Sequence, residues 1–168
     1  MRELIITAAT EEDLPSVLAL NQANVPHVGP LTLEALRELA AQASHFGVAR
    51  AGEEIAGFIL ALAPGQPYRS LNYRWFCERY EDFVYVDRLA VDGRFRGQGI
   101  GRALYESVER AAMRSTTWLT CEVNLRPPNP DSFAFHRRLG FVEVGQQDTE
   151  GGAKRVSLLA RPPRAPAS

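Results

Sequence analysis

The segment Arg96-Gly97-Gln98-Gly99-Ile100-Gly101 constrains this chain more than any other stretch. It stands between an apolar run, Phe83 to Val91, and a helical pattern that begins at Ile100. The first N–H groups of a helix have no intrahelical acceptor and carry partial positive charge. Glycines let an anion approach that backbone closely. Arg96 and Arg102 are placed to add charge-assisted bonds. The spacing therefore predicts a strand–turn–helix unit that holds a diphosphate. The competing reading is a tight turn whose glycines serve geometry alone.

Known nucleotide loops narrow the choice. A P-loop requires Gly-Lys-Ser/Thr, which is absent. A dinucleotide fingerprint requires a third glycine where Arg102 stands, and its first glycine directly after the strand. Here Asp92 to Arg96 intervene. Glu122 lies at a distance that imitates the ribose-binding acid, so a nicotinamide-dinucleotide binder stays open at this point.

The rest of the chain reads as alternating elements. Leu4 to Thr7 predicts a strand, and Thr10 before Glu11, Glu12 and Asp13 predicts a helix start. Thr32 caps a second helix with Leu33, Leu36, Leu39 and Ala40 on one face. Residues 46–51 and 55–62 flank a turn and form a hairpin. Residues 68–82, with Tyr68, Tyr73, Trp75, Phe76 and Tyr80, show no firm period. Phe83 to Val91 is the clearest strand, and a helix follows from Ile100 to about Arg114. Ala103, Leu104, Ser107, Val108 and Ala111 share the apolar face of Ile100. Trp118 to Asn124 is a further strand. Asn129 or Asp131 caps a short helix that Gly140 ends. Residues 141–144 and 155–159 form a closing hairpin, and 162–168 a disordered Pro/Ala-rich tail. This order predicts an α/β fold with a mixed sheet and helices on both faces, in one domain over 1–161.

Two spaced motifs carry a resemblance. Leu89-Ala90-Val91-Asp92, followed by Arg96-x-x-Gly99-x-Gly101, is similar to the strand and R/Q-x-x-G-x-G/A loop of the GNAT superfamily of acyl-CoA N-acyltransferases. Asn129, His136 and Leu139-Gly140-Phe141 resemble that family's second segment, where an Asn is followed seven residues later by Tyr and then by Gly-Phe. The resemblance implies a mixed, mostly antiparallel central sheet of about 6–7 strands, flanked by about four helices. It also implies acetyl-CoA as co-substrate. Leu89, Ala90 and Val91 would then offer backbone groups to pantetheine and the acyl carbonyl. Arg96, Gly97, Gln98, Gly99, Ile100, Gly101 and Arg102 would cradle the pyrophosphate, with Asn129 and His136 toward the pantetheine arm.

Acyl transfer to an amine requires loss of the ammonium proton, donors for the oxyanion and a proton for the departing thiolate. Glu122 is the favoured base. It shares a strand face with Thr120 and Asn124, and stands where the resemblance implies a catalytic Glu. Asp87, beside Leu89 and Val91, is the second candidate, or else an ion partner for Arg88 or Arg94. His136 replaces the family's Tyr. It is read as a shifted acid, a neutral donor or a spacer. His27, Tyr73, Trp75 and Tyr85 are candidates for the acceptor side. Cys121 alternates with Leu119 and Val123 and reads as core.

Charge and cysteine content close off other classes. Nineteen basic against twenty acidic residues leave a formal charge of −1, so bulk charge does not drive nucleic-acid binding. Cys77 and Cys121 lack the spacing of a zinc site, and no metal is expected. No apolar run approaches the ~20 residues of a membrane span, so a cytoplasmic protein without membrane partners is expected. The expectation is direct acetyl transfer from acetyl-CoA to a primary amine, by a monomer or a homodimer. The alternative is a non-catalytic acyl-CoA sensor or interaction module.

Overall fold

The computed structural model describes residues 3–164. Residues 165–168 of the expected tail lie outside them. Arg164, within them, donates from Nη2 to Leu139 O at 3.1 Å.

Seven strands form one sheet in the order β1-β2-β3-β4-β5-β7-β6. They are β1 (Leu4–Ala8), β2 (His45–Ala51), β3 (Glu54–Leu62), β4 (Phe83–Val91), β5 (Trp118–Arg126), β6 (Val142–Thr149) and β7 (Lys154–Arg161). β4 and β5 run parallel, while β1–β2, β2–β3, β5–β7 and β6–β7 are antiparallel. Five α-helices accompany them among the described residues: α1 (Leu14–Ala23), α2 (Leu33–Gln42), α3 (Leu71–Cys77), α4 (Ile100–Ala112) and α5 (Pro130–Arg138). The expected α/β class with a mixed sheet is the observed one. α3 is additional to the expectation and arises from the stretch 68–82.

The chain divides into two compact units. The first holds the residues up to Leu62 together with Arg88–Ala112. Its entry helix is fixed by a reciprocal cap. Asp13 accepts from the Thr10 amide and hydroxyl, and also takes both guanidinium nitrogens of Arg50 at 2.9 and 2.7 Å. The Arg50 hydrogen bonds hold the Asp13 carboxyl below its usual range. Thr32 caps α2 by accepting from the Ala35 amide. α4 buries Ile100, Leu104, Tyr105, Ser107 and Val108 and packs on β1, β2 and β3. Ala111, expected on that face, is exposed at the end of the helix.

The second unit holds Ala63–Asp87 and the residues from Met113 onward. Its core contains an aromatic cluster. The Tyr73 ring stands 5.5 Å from Tyr85 and 6.2 Å from Phe83, and Phe76 packs on both of those partners. α3 forms because Ser70 accepts from the Tyr73 amide, and because Tyr73 and Phe76, three residues apart, share the buried face. Cys121 is buried with Leu119 and Val123, as their alternation requires. β6 is longer than expected, reaching Thr149. It pairs only with β7, so its outer half is polar.

Candidate active site

The first unit carries a turn whose chemistry lies in its main chain. β4 ends in alternating residues: Arg88 and Ala90 are buried, while Leu89 and Val91 are half-buried. The Asp92 amide then donates to Ala56 O at 2.8 Å, and the Asp92 carboxylate accepts from the Arg94 amide at 2.9 Å. The Arg94 side chain holds that carboxyl below its ordinary range. The Arg88 side chain reaches the loop after α1. Its Nη1 donates to Asn21 Oδ1 and Gly29 O, both at 2.9 Å, and so pins the loop after α1. His27 lies exposed on that loop.

Gly97 and Gly99 adopt φ +78° and +79°. A Cβ at either position would meet nothing within 4 Å. Glycine is therefore required by backbone conformation, and the space beside the turn is open. Arg96, Gly97, Gln98, Gly99 and Arg102 are exposed. The Ala103 amide donates to Gly99 O at 3.0 Å, which starts α4. The amides of Ile100, Gly101 and Arg102 lie before any intrahelical acceptor. This open backbone cradle, flanked by two arginines, fits a diphosphate. Gly57 was not anticipated in this role. A Cβ there would lie 3.0 Å from Ala90 O and 3.1 Å from Ile100 Cγ2, so bare β3 backbone seats the start of α4. A glycine inside a strand pattern is the signal that identifies it.

The second unit carries two tyrosine–carboxylate pairs. The Tyr85 hydroxyl donates to Glu122 Oε2 at 2.5 Å, and the Tyr68 hydroxyl donates to Asp87 Oδ1 at 2.6 Å. Both carboxylates are half-buried, and Tyr85 is fully buried. Burial raises the Tyr85 hydroxyl well above its ordinary value, and the charges of Glu122 and Asp87 push the same way. Tyr85 therefore stays protonated and remains a donor. Tyr73, expected on the acceptor side, is buried in the core. Its hydroxyl donates to Ala63 O at 2.5 Å and accepts from the Gln66 amide at 3.0 Å; burial raises its pKa to about 12. Trp75 is half-buried, with the Arg79 guanidinium 4.1 Å from its ring centre. A Cβ at Gly145 would lie 2.6 Å from Trp75 Cζ2, so that glycine lets the indole close onto β6. Asn72 accepts from Gln147 at 2.9 Å and ties the same two elements. Tyr73 and Trp75 thus hold α3 in place, while Tyr68, named in the sequence only as part of the aromatic stretch 68–82, meets Asp87.

α5 starts where Asn129 Oδ1 accepts from the Ser132 amide at 3.4 Å, with Pro130 in the first turn. His136 is buried between the edges of Phe135 and Phe141. Its Nδ1 lies 2.7 Å from Ser132 O. A carbonyl only accepts, so Nδ1 carries the proton and Nε2 the lone pair. Burial holds the ring below its ordinary pKa of 6.5, against a smaller raising effect of the Ser132 bond. A neutral ring in this tautomer accepts at Nε2. Gly140, at φ +95°, terminates the helix.

Among the described residues, no three His, Cys, Asp or Glu side chains gather as a metal site. No helix among them is long and apolar enough to cross a membrane.

Known proteins share this architecture. Ard1 from Thermoplasma volcanium superposes with a TM-score of 0.75 at 19% identity, covering 95% of this chain and 97% of its own. The ribosomal-protein-S18-alanine N-acetyltransferase from Escherichia coli gives a TM-score of 0.72 at 19% identity, covering 99% and 97%. At these identities the likeness is one of fold. In sequence, the uncharacterized N-acetyltransferase YesJ of Bacillus subtilis (strain 168) is 30% identical over 105 residues, 60% of this chain. The chain spans about half the length of that curated relative, 54% of it. The profile of the acetyltransferase (GNAT) family matches residues 11–141, which include the glycine cradle, both tyrosine–carboxylate pairs and α5. On that match, the chain belongs to the acetyltransferase (GNAT) family.

Proposed function

We propose that the chain transfers an acetyl group from acetyl-CoA directly to a primary amine. The observation that carries this reading is the turn Arg96–Gly101. Two left-handed glycines open onto the first turn of α4, within the stretch that matches the family. Acetyl-CoA, when bound, supplies the thioester. Arg96, Arg102 and the amides of the turn hold its diphosphate, and Leu89 to Val91 offer main-chain groups to the pantetheine and acyl carbonyl. Asn129 stands toward the pantetheine arm.

Glu122 is the base of the proposal. It takes the proton that the amine loses as nitrogen bonds to the acyl carbon and the C–S bond breaks. The departing sulfur then receives a proton from water. Asp87 is the second carboxylate and acts on charge rather than as base. His136, with its proton turned toward Ser132 O, orients the end of α5 and is not the acid. His27 on the loop after α1 faces the acceptor. The reading carries a soluble, cytoplasmic chain with no metal, no nucleic acid and no membrane partner, and leaves a homodimer open to sedimentation.

A peptide N-terminus is the acceptor class we favour, because one protein of this fold is a ribosomal-protein-S18-alanine N-acetyltransferase. An α-amine of pKa ~8 is also easier to deprotonate than a lysine amine of ~10.4. The test is thiol release from acetyl-CoA across short peptides, amino acids, aminoglycosides and simple amines, with a no-amine blank. Release with alanine-led peptides supports the reading. Release only with another class moves the acceptor, and silence alongside intact acetyl-CoA binding leaves a binding module.

A further inference from the structure

The base proposed above does not stand alone, and its neighbour has no assigned part in the chemistry. We infer that Tyr85 is a positioning residue for Glu122: its hydroxyl fixes the carboxylate's orientation and sets the pH at which that carboxylate becomes a base. The inference rests on the reading of Glu122 as base.

Three observations carry it. The Tyr85 hydroxyl donates to Glu122 Oε2 at 2.5 Å, a short bond between a phenol and an acid. The Tyr85 ring is fully buried and packs against Tyr73 and Phe76 at 5.5 and 5.9 Å, so the donor has a fixed position. β4 and β5 run parallel with Tyr85 opposite Thr120, which places Glu122 two residues further along β5. The phenol therefore spans a fixed offset between two strands and meets one carboxylate oxygen. A group held on one oxygen in this way presents the other in a constant direction.

The second pair supplies the contrast. Tyr68 binds Asp87 at 2.6 Å, but it lies in the connection before α3 and is itself half-buried. Its donor is not locked by a core on all sides. The titratable groups that act on Tyr85 are Glu122 from β5, Asp87 from β4 and Tyr68 from that connection; Tyr73 of α3 packs on its ring. Leu158 of β7, opposite Glu122, adds no charge. A hydrogen bond to the ionised form favours that form. Removing the Tyr85 hydroxyl therefore moves the Glu122 titration upward.

The test is a carbon-13 carboxyl titration of glutamate-labelled protein, with the Glu122 signal assigned by its loss in Glu122→Gln. In Tyr85→Phe the midpoint is expected to rise by about one pH unit, a tenfold change in the ionisation constant. In Tyr68→Phe it is expected to stay within about 0.3 of a unit, well inside the spread among ordinary carboxylates. An unmoved midpoint in Tyr85→Phe overturns the inference. Glu122→Asp offers a second route that leaves the Tyr85 core untouched, because it draws the carboxylate back from the phenol. Its turnover is expected to fall about tenfold, and combining it with Tyr85→Phe is expected to cost little more. Losses that multiply would mean the two groups act separately, which also overturns the inference. Unchanged turnover in Glu122→Gln instead removes Glu122 as base and leaves the titration result standing.

Discussion

In the first unit the proposed diphosphate cradle consists of main chain contiguous in sequence, Arg96 to Gly101, shaped by two positive φ angles. In the second unit the acid cluster consists of four side chains from three places: Tyr68 before α3, Tyr85 and Asp87 on β4, and Glu122 on β5. The two constructions fail in different ways. A backbone cradle tolerates change in any side chain that does not alter φ, and it is lost when a Cβ enters a left-handed position. A side-chain cluster tolerates backbone-neutral change around it, and it is lost when one donor or acceptor goes.

The sharpest way to separate them is Glu122→Gln. Turnover is expected to fall roughly a hundredfold or more, the usual worth of a positioned base, while acetyl-CoA affinity by calorimetry stays the same. A matching loss of affinity would mean that the cradle and the cluster are not independent. The opposite pattern is expected of Gly99→Val. A β-branched residue at φ +79° is strained, by about 1–2 kcal/mol, so acetyl-CoA affinity falls about tenfold. Turnover at saturating acetyl-CoA should then remain near that of the parent. Gly57→Ala tests the seat beneath the cradle. Its Cβ would press on Ala90 O and Ile100, and denaturant unfolding should show a loss of roughly 1–3 kcal/mol.

The smallest effect concerns His136 and pH. Its folded pKa lies below the ordinary 6.5, so between those values the unfolded chain binds more protons than the folded one. Stability therefore rises with pH across that window and is lost as pH falls below 6.5. His136→Phe should flatten the slope in thermal melts between pH 5 and 7, on the order of the window the ordinary histidine pKa defines. It should not abolish the slope, because His45 is shifted the same way by burial and by Arg110.

The same contrast explains what could be read in advance. The cradle was legible because strand, glycines and helix follow one another, and each signal is local. β4 was recovered at its full length, since a run of aromatic and β-branched residues, Phe83 to Val86, leads into an alternating end. Thr32 and Asn129 could be placed as caps because a cap bonds only three residues away. α3 was hidden because only Tyr73 and Phe76 are buried on it, and the helix is too short for that period to repeat. β6 was read short because an edge strand has no second neighbour to demand apolar residues. The acid cluster could be named but not wired. Tyr85 and Glu122 are separated by 37 residues, and only the sheet register brings the phenol to the acid. For the same reason Tyr73, expected on the acceptor side, lies in the core, and Tyr68 is the tyrosine that meets an acid. Both are tyrosines near α3, and nothing local distinguishes a hydroxyl facing Ala63 O from one facing Asp87.

Arg88 gives the loop after α1 an unusual freedom. Its guanidinium holds Asn21 at one end and the Gly29 carbonyl at the other, and Asn21 Nδ2 bonds the same carbonyl. The loop is thus clasped at its base, like a purse closed by its drawstring. Beyond Gln22 and Asn24, whose side chains brace the clasp, residues 25–28 can vary in side chain without disturbing β4, because loop closure is already fixed there. Such a segment is an exchangeable rim: evolution, or an engineer, can rewrite it while the strand beneath keeps its register.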